Sequence, residues 1–259
     1  MSAADPAPAP PAPAPLTWGE EDATSGGVRR RRFDVGGSVP GLLWTPADGA
    51  PSPLVLIGHG GSGSKSEHYV AGLARRLVLR HRTAAAAIDG PVHGDRRPDP
   101  DAPPGLVLLE WAQRWANDGE AMTDGMVADW RATIDALAPL PEIGDGPVGW
   151  WGLSLGTILG LPLVAADERI GAAVLGLMGL TGPTRERIGR DAARVRCPVL
   201  FFVQWDDTLF PRRDALALFE ALATTDKRLH AHPGTHGDVP DEAFMASAAF
   251  LARHLGGRA

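Results

Sequence analysis

Cysteine and long apolar runs are scarce in this 259-residue sequence, and each scarcity excludes a class of protein. The one cysteine, Cys197, has no partner for an internal disulfide, so a disulfide-stapled fold is excluded. No window holds the roughly 18 uninterrupted apolar residues that a membrane-spanning helix needs, and the N-terminus lacks the apolar region of a secretory signal peptide. We therefore expect a cytoplasmic protein that does not enter a membrane.

The sequence also has no surplus of positive charge. Its 31 acidic and 25 basic side chains leave a formal net charge of -6. A nucleic acid or an anionic membrane surface is therefore disfavoured as the main partner, because both attract cationic proteins. Small molecules are the expected partners. The composition, 44% apolar and 22% charged, is typical of a folded globular chain.

The N-terminal segment differs in composition from the rest of the chain. Residues 1–15 are rich in alternating alanine and proline, a pattern that favours an extended chain and cannot build a packed core. We predict a disordered Pro/Ala-rich tail over residues 1–27 and a single α/β domain over residues 28–259. At the start of that domain, two strand-like runs flank the turn residues 36–38, which predicts an N-terminal β-hairpin.

Six short apolar runs alternate with helix-like segments after this hairpin. The runs cover residues 54–57, 84–88, 148–151, 172–178, 199–203 and 228–231. The helical patterns cover residues 67–80, 121–137, 155–165, 213–223 and 241–254. Short, continuously apolar strands that alternate with helices predict an α/β fold with a mostly parallel central sheet flanked by helices. Ligands of such a fold bind at the carboxyl ends of its strands.

One long stretch interrupts the alternation. Residues 91–120 contain five prolines followed by an amphipathic run, and such excess length between a strand and a core helix is often functional. We predict a small cap or pocket wall there. Trp111 and Trp115 share one helix face within it. They either pack the helix against the body of the protein or form an apolar wall that binds the substrate.

The pentapeptide 152–156, Gly-Leu-Ser-Leu-Gly, follows a predicted strand directly and precedes a helical pattern. In a G-x-S-x-G turn of this kind, the glycines leave room for a strained backbone that holds the serine hydroxyl clear of the sheet. A serine hydroxyl is a poor nucleophile until a base accepts its proton and an acid orients that base. The pattern therefore predicts Ser154 as a nucleophile, with an acid and a histidine downstream.

Both partners follow predicted strands. Asp206 and Asp207 end one of these runs, and His236 follows the last one, so the order Ser, Asp, His is the one that this architecture requires. The transition state of acyl transfer also needs backbone donors for its oxyanion. Leu155, directly after the serine, is the first expected donor. Gly61, in a glycine-rich loop after an earlier strand, is the second.

These motifs resemble the α/β-hydrolase superfamily over about residues 28–256. The His-Gly-Gly loop at 59–61, the run Ile-Asp-Gly-Pro-Val-His-Gly-Asp-Arg at 88–96 and the Gly-Thr-His-Gly at 234–237 are similar to its bacterial branch of dienelactone-hydrolase-like and acyl-peptidase-like esterases. Dienelactone hydrolases proper carry a cysteine nucleophile. Their substrate therefore does not transfer to this chain.

The resemblance implies a catalytic triad of Ser154, His236 and an acid at the 206–207 pair, beside an oxyanion hole of the two backbone donors. Members of the family place the acid four residues before a proline, and Asp207 has that spacing. The implied function is a carboxylesterase-type serine hydrolase that cleaves small carboxylic esters and uses no metal or organic cofactor. An acyltransferase, a peptidase or a thioesterase would use the same triad.

Other classes of protein remain as alternatives. One is a hydrolase-fold protein that binds ligands without turning them over. Another is a dinucleotide-binding oxidoreductase, because residues 58–63 fit G-x-G-x-x-G and Asp89 ends the next strand. His230, His232 and His236 also suggest a metal site, but no cysteine or carboxylate cluster completes the ligand set.

Overall fold

Nine strands form one sheet in the computed structural model, which describes residues 14–256. The strands are β1 Leu16–Ser25, β2 Val28–Val35, β3 Val39–Pro46, β4 Leu54–Gly58, β5 Ala84–Ile88, β6 Val148–Gly152, β7 Ile170–Gly176, β8 Val199–Gln204 and β9 Lys227–His232. The helices are α1 His68–His81, α2 Pro104–Leu137, α3 Leu155–Ala166, α4 Arg185–Ala192, α5 Arg212–Ala221 and α6 Asp241–His254.

The sheet is mostly parallel. Its strand order is β1-β2-β3-β5-β4-β6-β7-β8-β9, in which β1, β2, β3 and β5 pair antiparallel and all pairs from β5 to β9 are parallel. Helices α2 to α5 pack on one face of the sheet, and α1 and α6 pack on the other. The predicted α/β fold with a parallel central sheet and N-terminal strands is confirmed.

The apolar strands are buried because both faces of the sheet are covered. In β4, Leu54 and Leu56 belong to the core on one face, while Val55 and Ile57 belong to the core on the other. Successive residues of a strand point to opposite faces, so a strand in the middle layer must be apolar at every position. This explains the continuous apolar runs of the sequence.

The prediction of an N-terminal tail is wrong over residues 16–25, which form β1. This strand pairs antiparallel with β2, and Trp18 packs edge to face on Phe33 with ring centroids 6.4 Å apart. The guanidinium of Arg31 lies 3.9 Å from the centroid of the Trp18 ring. Because most side chains of this edge strand are exposed, it has no apolar run that would mark it in the sequence. Residues 1–13 of the predicted tail lie outside the described part of the chain.

The segment predicted as a cap is continuous with a core helix. Residues 104–117 form the first half of α2, and a non-helical conformation at Asp118 (φ -129°, ψ 23°) separates them from the second half.

Helix α4 was not predicted, because Ile188, Asp191 and Ala192 are its only buried residues. Across residues 14–256, no helix is both long enough and apolar enough to cross a membrane.

Candidate active site

Ser154 lies in a sharp turn between β6 and α3. Its backbone has φ 58° and ψ -117°, a strained conformation for a residue other than glycine. The turn is held by a hydrogen bond from the Ser154 N–H to the Gly176 carbonyl at 3.0 Å. A Cβ atom on Gly152 would lie 2.6 Å from the Gly156 carbonyl oxygen, and one on Gly156 would lie 2.6 Å from that of Gly58. Both glycines of the motif are therefore sterically required.

His236 lies between Ser154 and Asp207. Its Nε2 is 2.9 Å from Ser154 Oγ, and its Nδ1 is 2.7 Å from Asp207 Oδ2. The other carboxylate oxygen of Asp207 accepts hydrogen bonds from the backbone N–H groups of Leu209 and Phe210, at 2.8 and 3.0 Å. These donors fix the buried carboxylate against the imidazole. The arrangement favours the tautomer with hydrogen on Nδ1, which leaves Nε2 free to accept the serine proton.

The structure distinguishes the two candidate acids. Asp206 makes a different contact from Asp207, because its Oδ2 accepts a hydrogen bond from the Gly234 N–H at 3.3 Å. The ring of Phe210 packs against the imidazole of His236, with centroids 5.6 Å apart. The carboxylate that meets the histidine is therefore that of Asp207, and an aromatic ring limits the movement of the imidazole.

Two residues whose backbone N–H groups are unpaired in the described part of the chain line the same cavity as Ser154. They are Gly61 and Leu155. Leu155 is the first residue of α3, where N–H groups have no acceptor within the helix. Within residues 14–256, neither N–H donates to another protein group. Donors of this kind, placed beside a nucleophile, can stabilise an oxyanion.

His59 fixes the peptide that contains the Gly61 N–H. Its Nδ1 lies 2.8 Å from the Gly60 carbonyl oxygen, and its Nε2 accepts a hydrogen bond from the Gly90 N–H at 2.8 Å. Burial lowers the pKa of His59 to about 4, so the ring is neutral and donates from Nδ1 alone. The Gly60 N–H donates to the hydroxyl of Tyr69 at 2.6 Å. Both backbone groups of Gly60 are therefore held, directly before the proposed oxyanion donor.

His93 provides a second connection to this loop. Its Nε2 is 2.9 Å from the Gly61 carbonyl oxygen and its Nδ1 is 2.7 Å from that of Pro91. The side chain of His93 is enclosed between the loop after β4 and the loop after β5. This burial lowers its pKa. Sequence reasoning missed this residue because its position in a polar, proline-rich stretch gives no sign of burial.

A buried ion pair joins the same two loops. Asp89 accepts hydrogen bonds from the Lys65 ammonium at 2.6 Å, from the Lys65 N–H at 2.9 Å and from the Asp95 N–H at 2.9 Å. Lys65 also pairs with the carboxylate of Asp95. Asp89 is fully buried, and both of its oxygens are used within the protein. The acid that the dinucleotide alternative requires is therefore not free to bind a ribose hydroxyl.

A cavity of about 280 Å³ opens beside Ser154. Both tryptophans predicted for substrate binding line it, and their rings stack with centroids 4.8 Å apart. Trp111 and Trp115 are only 5% and 9% exposed, so they also pack α2 against the body of the protein. Trp115 donates from Nε1 to the Thr184 hydroxyl at 3.0 Å. The remaining apolar side chains of the wall include Leu108, Ile158, Leu209 and Phe210.

The histidines of β9 do not assemble with a third ligand. The ring of His232 stacks on Phe202 with centroids 5.8 Å apart, and His230 packs edge to face on the same phenyl ring. His236 contacts the serine instead. In the described part of the chain, no three His, Cys, Asp or Glu side chains are grouped as a metal ion requires.

The sequence matches no protein-family model and no curated protein, but the structure resembles many solved structures. A cold-adapted esterase from an Arctic intertidal metagenomic library, in complex with PEG, is 38% identical with a TM-score of 0.81. That match covers 92% of this chain and 99% of the esterase. An acetyl xylan esterase from a Paenibacillus species is 18% identical with a TM-score of 0.70. That match covers 93% of this chain and 90% of the acetyl xylan esterase.

A third similar structure is a dienelactone-hydrolase-like promiscuous phosphotriesterase from metagenomic libraries. It is 21% identical with a TM-score of 0.64, and the match covers 93% of this chain and 99% of that chain. The two more distant structures share the α/β-hydrolase fold. The chain belongs to the α/β-hydrolase superfamily, in one family with the cold-adapted esterase. The resemblance to the esterase branch that the sequence motifs indicated is confirmed.

Proposed function

We propose that this protein is a carboxylesterase-type serine hydrolase that cleaves small carboxylic esters, with Ser154, His236 and Asp207 as its catalytic triad. The observation that carries the proposal is the pair of hydrogen bonds through His236, at 2.9 Å to the serine and 2.7 Å to the aspartate. A serine beside an oriented histidine is activated for attack on an acyl carbon. The relative that is 38% identical to this chain is described as an esterase, which supports the class of bond.

In the first half of the proposed reaction, Ser154 Oγ attacks the carbonyl carbon of the ester while His236 Nε2 accepts the hydroxyl proton. The carbonyl oxygen becomes an oxyanion, which the N–H groups of Gly61 and Leu155 stabilise. The carbon–oxygen bond to the alcohol then breaks. The departing alcohol takes the proton from His236, and the acyl group remains on the serine. Asp207 stabilises the transient imidazolium and holds its orientation.

The second half repeats these proton transfers with water. His236 removes a proton from a water molecule as the water oxygen attacks the acyl carbon, and the same two N–H groups stabilise the second oxyanion. The bond to Ser154 Oγ breaks, and the serine takes back its proton from the imidazolium. One ester and one water thus yield one carboxylic acid and one alcohol.

The cavity indicates a small substrate. Its volume of about 280 Å³ is slightly below the range of typical ligand pockets, which is about 300 to 1,000 Å³. Its wall is mostly apolar and includes the stacked rings of Trp111 and Trp115. We therefore assign these two residues to substrate binding, as an apolar surface against the acyl or alcohol group.

The test combines active-site labelling with turnover. A fluorophosphonate probe should label Ser154, and p-nitrophenyl esters of increasing chain length should show highest kcat/KM for short acyl groups. Ser154→Ala should abolish labelling and lower kcat by about 10⁴-fold or more, with an unchanged circular dichroism spectrum. Ser38→Ala, in the turn between β2 and β3, is the matched control and should keep both properties. Unreduced turnover in Ser154→Ala would overturn the proposed function.

A further inference from the structure

The cavity beside Ser154 contains a polar group that the proposed mechanism does not use. Thr181, in the loop after β7, lines this otherwise largely apolar cavity. Its hydroxyl makes no hydrogen bond with any residue in the described part of the chain. The neighbouring Thr184 is different, because its hydroxyl accepts a hydrogen bond from Trp115. Thr181 therefore has a hydrogen-bond donor and acceptor that the described residues do not use.

A second polar atom in the wall is also unpaired. The indole N–H of Trp111 is buried and has no hydrogen-bond partner among residues 14–256, and Trp111 lines the same cavity. A buried polar group without a partner destabilises the state in which it is left unpaired. A substrate group that is purely hydrocarbon would cover the threonine hydroxyl without satisfying it.

The backbone around Thr181 is fixed by neighbouring contacts. The Leu180 N–H donates to the Asp214 carbonyl at 3.0 Å, and the Thr181 N–H donates to the Gly179 carbonyl at 2.8 Å. A Cβ atom on Gly179 would lie 2.6 Å from the backbone carbon of Asp214, so this loop packs tightly on the start of α5. On the other side of Thr181, Gly182 has φ +79° and also lines the cavity. The backbone that carries the hydroxyl is thus preorganised, so binding a ligand there requires little ordering of the loop.

We propose that Thr181 is a specificity-determining residue whose hydroxyl binds a second oxygen of the substrate. The preferred esters carry an ether, hydroxyl or carbonyl oxygen in the group that enters the cavity, and purely hydrocarbon groups of the same size are poorer substrates. This inference rests on the proposed function of Ser154. Its physical basis is that a site with an unpaired hydrogen-bonding group discriminates against an analogue that lacks the matching atom.

The experiment compares two pairs of substrates in which one CH₂ group is replaced by oxygen. p-Nitrophenyl butanoate and p-nitrophenyl methoxyacetate test the acyl side, and butyl acetate and 2-methoxyethyl acetate test the alcohol side. The measured quantity is the ratio of kcat/KM for the ether ester to kcat/KM for its hydrocarbon partner. Because each ratio is compared between enzyme variants, the different intrinsic reactivities of the esters cancel.

In Thr181→Val, which removes the hydroxyl at nearly constant volume, one of the two ratios should fall about 5- to 10-fold, as expected for the loss of one hydrogen bond. Thr181→Ser keeps the hydroxyl and should hold that ratio within about twofold of the wild-type value. Thr181→Ala also lacks the hydroxyl and replaces the valine variant if the latter does not fold. The ratio that falls identifies the side of the ester that occupies the cavity.

Two results would overturn this inference while leaving the esterase function intact. One is unchanged ratios for both pairs in Thr181→Val. The other is an equal fall in Thr181→Ser, which would show that the hydroxyl is not responsible. A wild-type enzyme that hydrolyses none of the four esters, and that a fluorophosphonate does not label at Ser154, would instead overturn the proposed function and this inference together.

Discussion

The imidazole of His93 connects the loop after β5 to the carbonyl oxygen of Gly61, with 2.9 Å between Nε2 and that oxygen. Gly61 contributes the N–H that we propose as an oxyanion donor, so this contact orients the backbone next to the reacting atoms. Oxyanion donors act through preorganisation, because they must be in place before the charge develops. A residue that fixes their orientation therefore affects catalysis without touching the substrate.

We predict that His93→Ala lowers kcat for p-nitrophenyl acetate by about 10- to 100-fold, since the removal of one oxyanion donor costs about 100- to 1000-fold and displacement costs less. The KM should change by less than about threefold, because substrate binding relies on the cavity wall. His68→Ala, which changes an exposed histidine at the start of α1, serves as the control. A rise in KM with unchanged kcat would contradict this prediction, because it would show that His93 affects substrate binding and does not orient the oxyanion loop.

The stability of the protein should decrease in mild acid because of His59. Its pKa is lowered by burial to about 4, whereas the same group in the unfolded chain has a pKa of 6.5. Between these values the unfolded chain binds a proton that the folded chain does not, so the free energy of unfolding falls as the pH falls from 6.5 toward 4. The expected loss from this one group between pH 7 and pH 4.5 is about 2 to 3 kcal/mol.

Urea unfolding at pH 7 and at pH 4.5 measures this effect. His59→Gln lacks the titrating ring, so its loss of stability between the two pH values should be smaller than that of the wild type by about the same 2 to 3 kcal/mol. Carboxylates titrate in both proteins, and their contribution cancels in the comparison. Equal losses in the two proteins would contradict the assignment of the acid sensitivity to this histidine.

Removing one partner of the buried pair of Lys65 and Asp89 should destabilise the protein far more than removing one partner of an exposed pair of similar geometry. Lys65→Met would leave the Asp89 carboxylate buried without its cation, and we expect this to lower the free energy of unfolding by about 3 to 5 kcal/mol. Arg82→Met is the matched control. It breaks the exposed pair with Asp48, which has a separation of 2.8 Å, and should cost less than about 1 kcal/mol. Urea unfolding of both variants at pH 7 provides the comparison, and similar losses would contradict this assignment.

The three residues of the proposed triad could be singled out from sequence because their signals are local. The two glycines around Ser154 are required by sterics within a single turn, and Asp207 and His236 each lie a few residues after the end of a strand. The order Ser, Asp, His along the chain then matches the order that the α/β-hydrolase fold requires. Chain order and strand ends are therefore sufficient to predict the triad from sequence.

The residues that support the site could not be predicted, because their roles depend on contacts between distant segments. His93 is buried because its ring lies between its own loop and the loop after β4. The unpaired hydroxyl of Thr181 is recognised only when the other cavity residues are in place. Strand β1 was missed for a related reason. As an edge strand it has few buried side chains, so its sequence carries polar residues like those of a tail.

Two glycine-to-alanine substitutions should have opposite effects on stability. Gly156 lies in α3, where a Cβ atom would be 2.6 Å from the carbonyl oxygen of Gly58, and that oxygen belongs to backbone that cannot move without displacing β4. Gly125 lies in α2 with nothing within 4 Å of its Cβ position. Alanine at the exposed Gly125 reduces the conformational freedom of the unfolded chain and should stabilise the protein by about 0.5 to 1 kcal/mol.

Gly156→Ala should instead destabilise the protein by about 1 to 3 kcal/mol, as overpacking does in a filled core. It should also lower kcat, because the clash lies between the turn that holds Ser154 and the strand that leads to the Gly61 loop. Thermal unfolding and p-nitrophenyl acetate turnover of the two variants measure both effects. A Gly156→Ala protein with wild-type stability and kcat would contradict the conclusion that the spacing of these two backbones sets the geometry of the site.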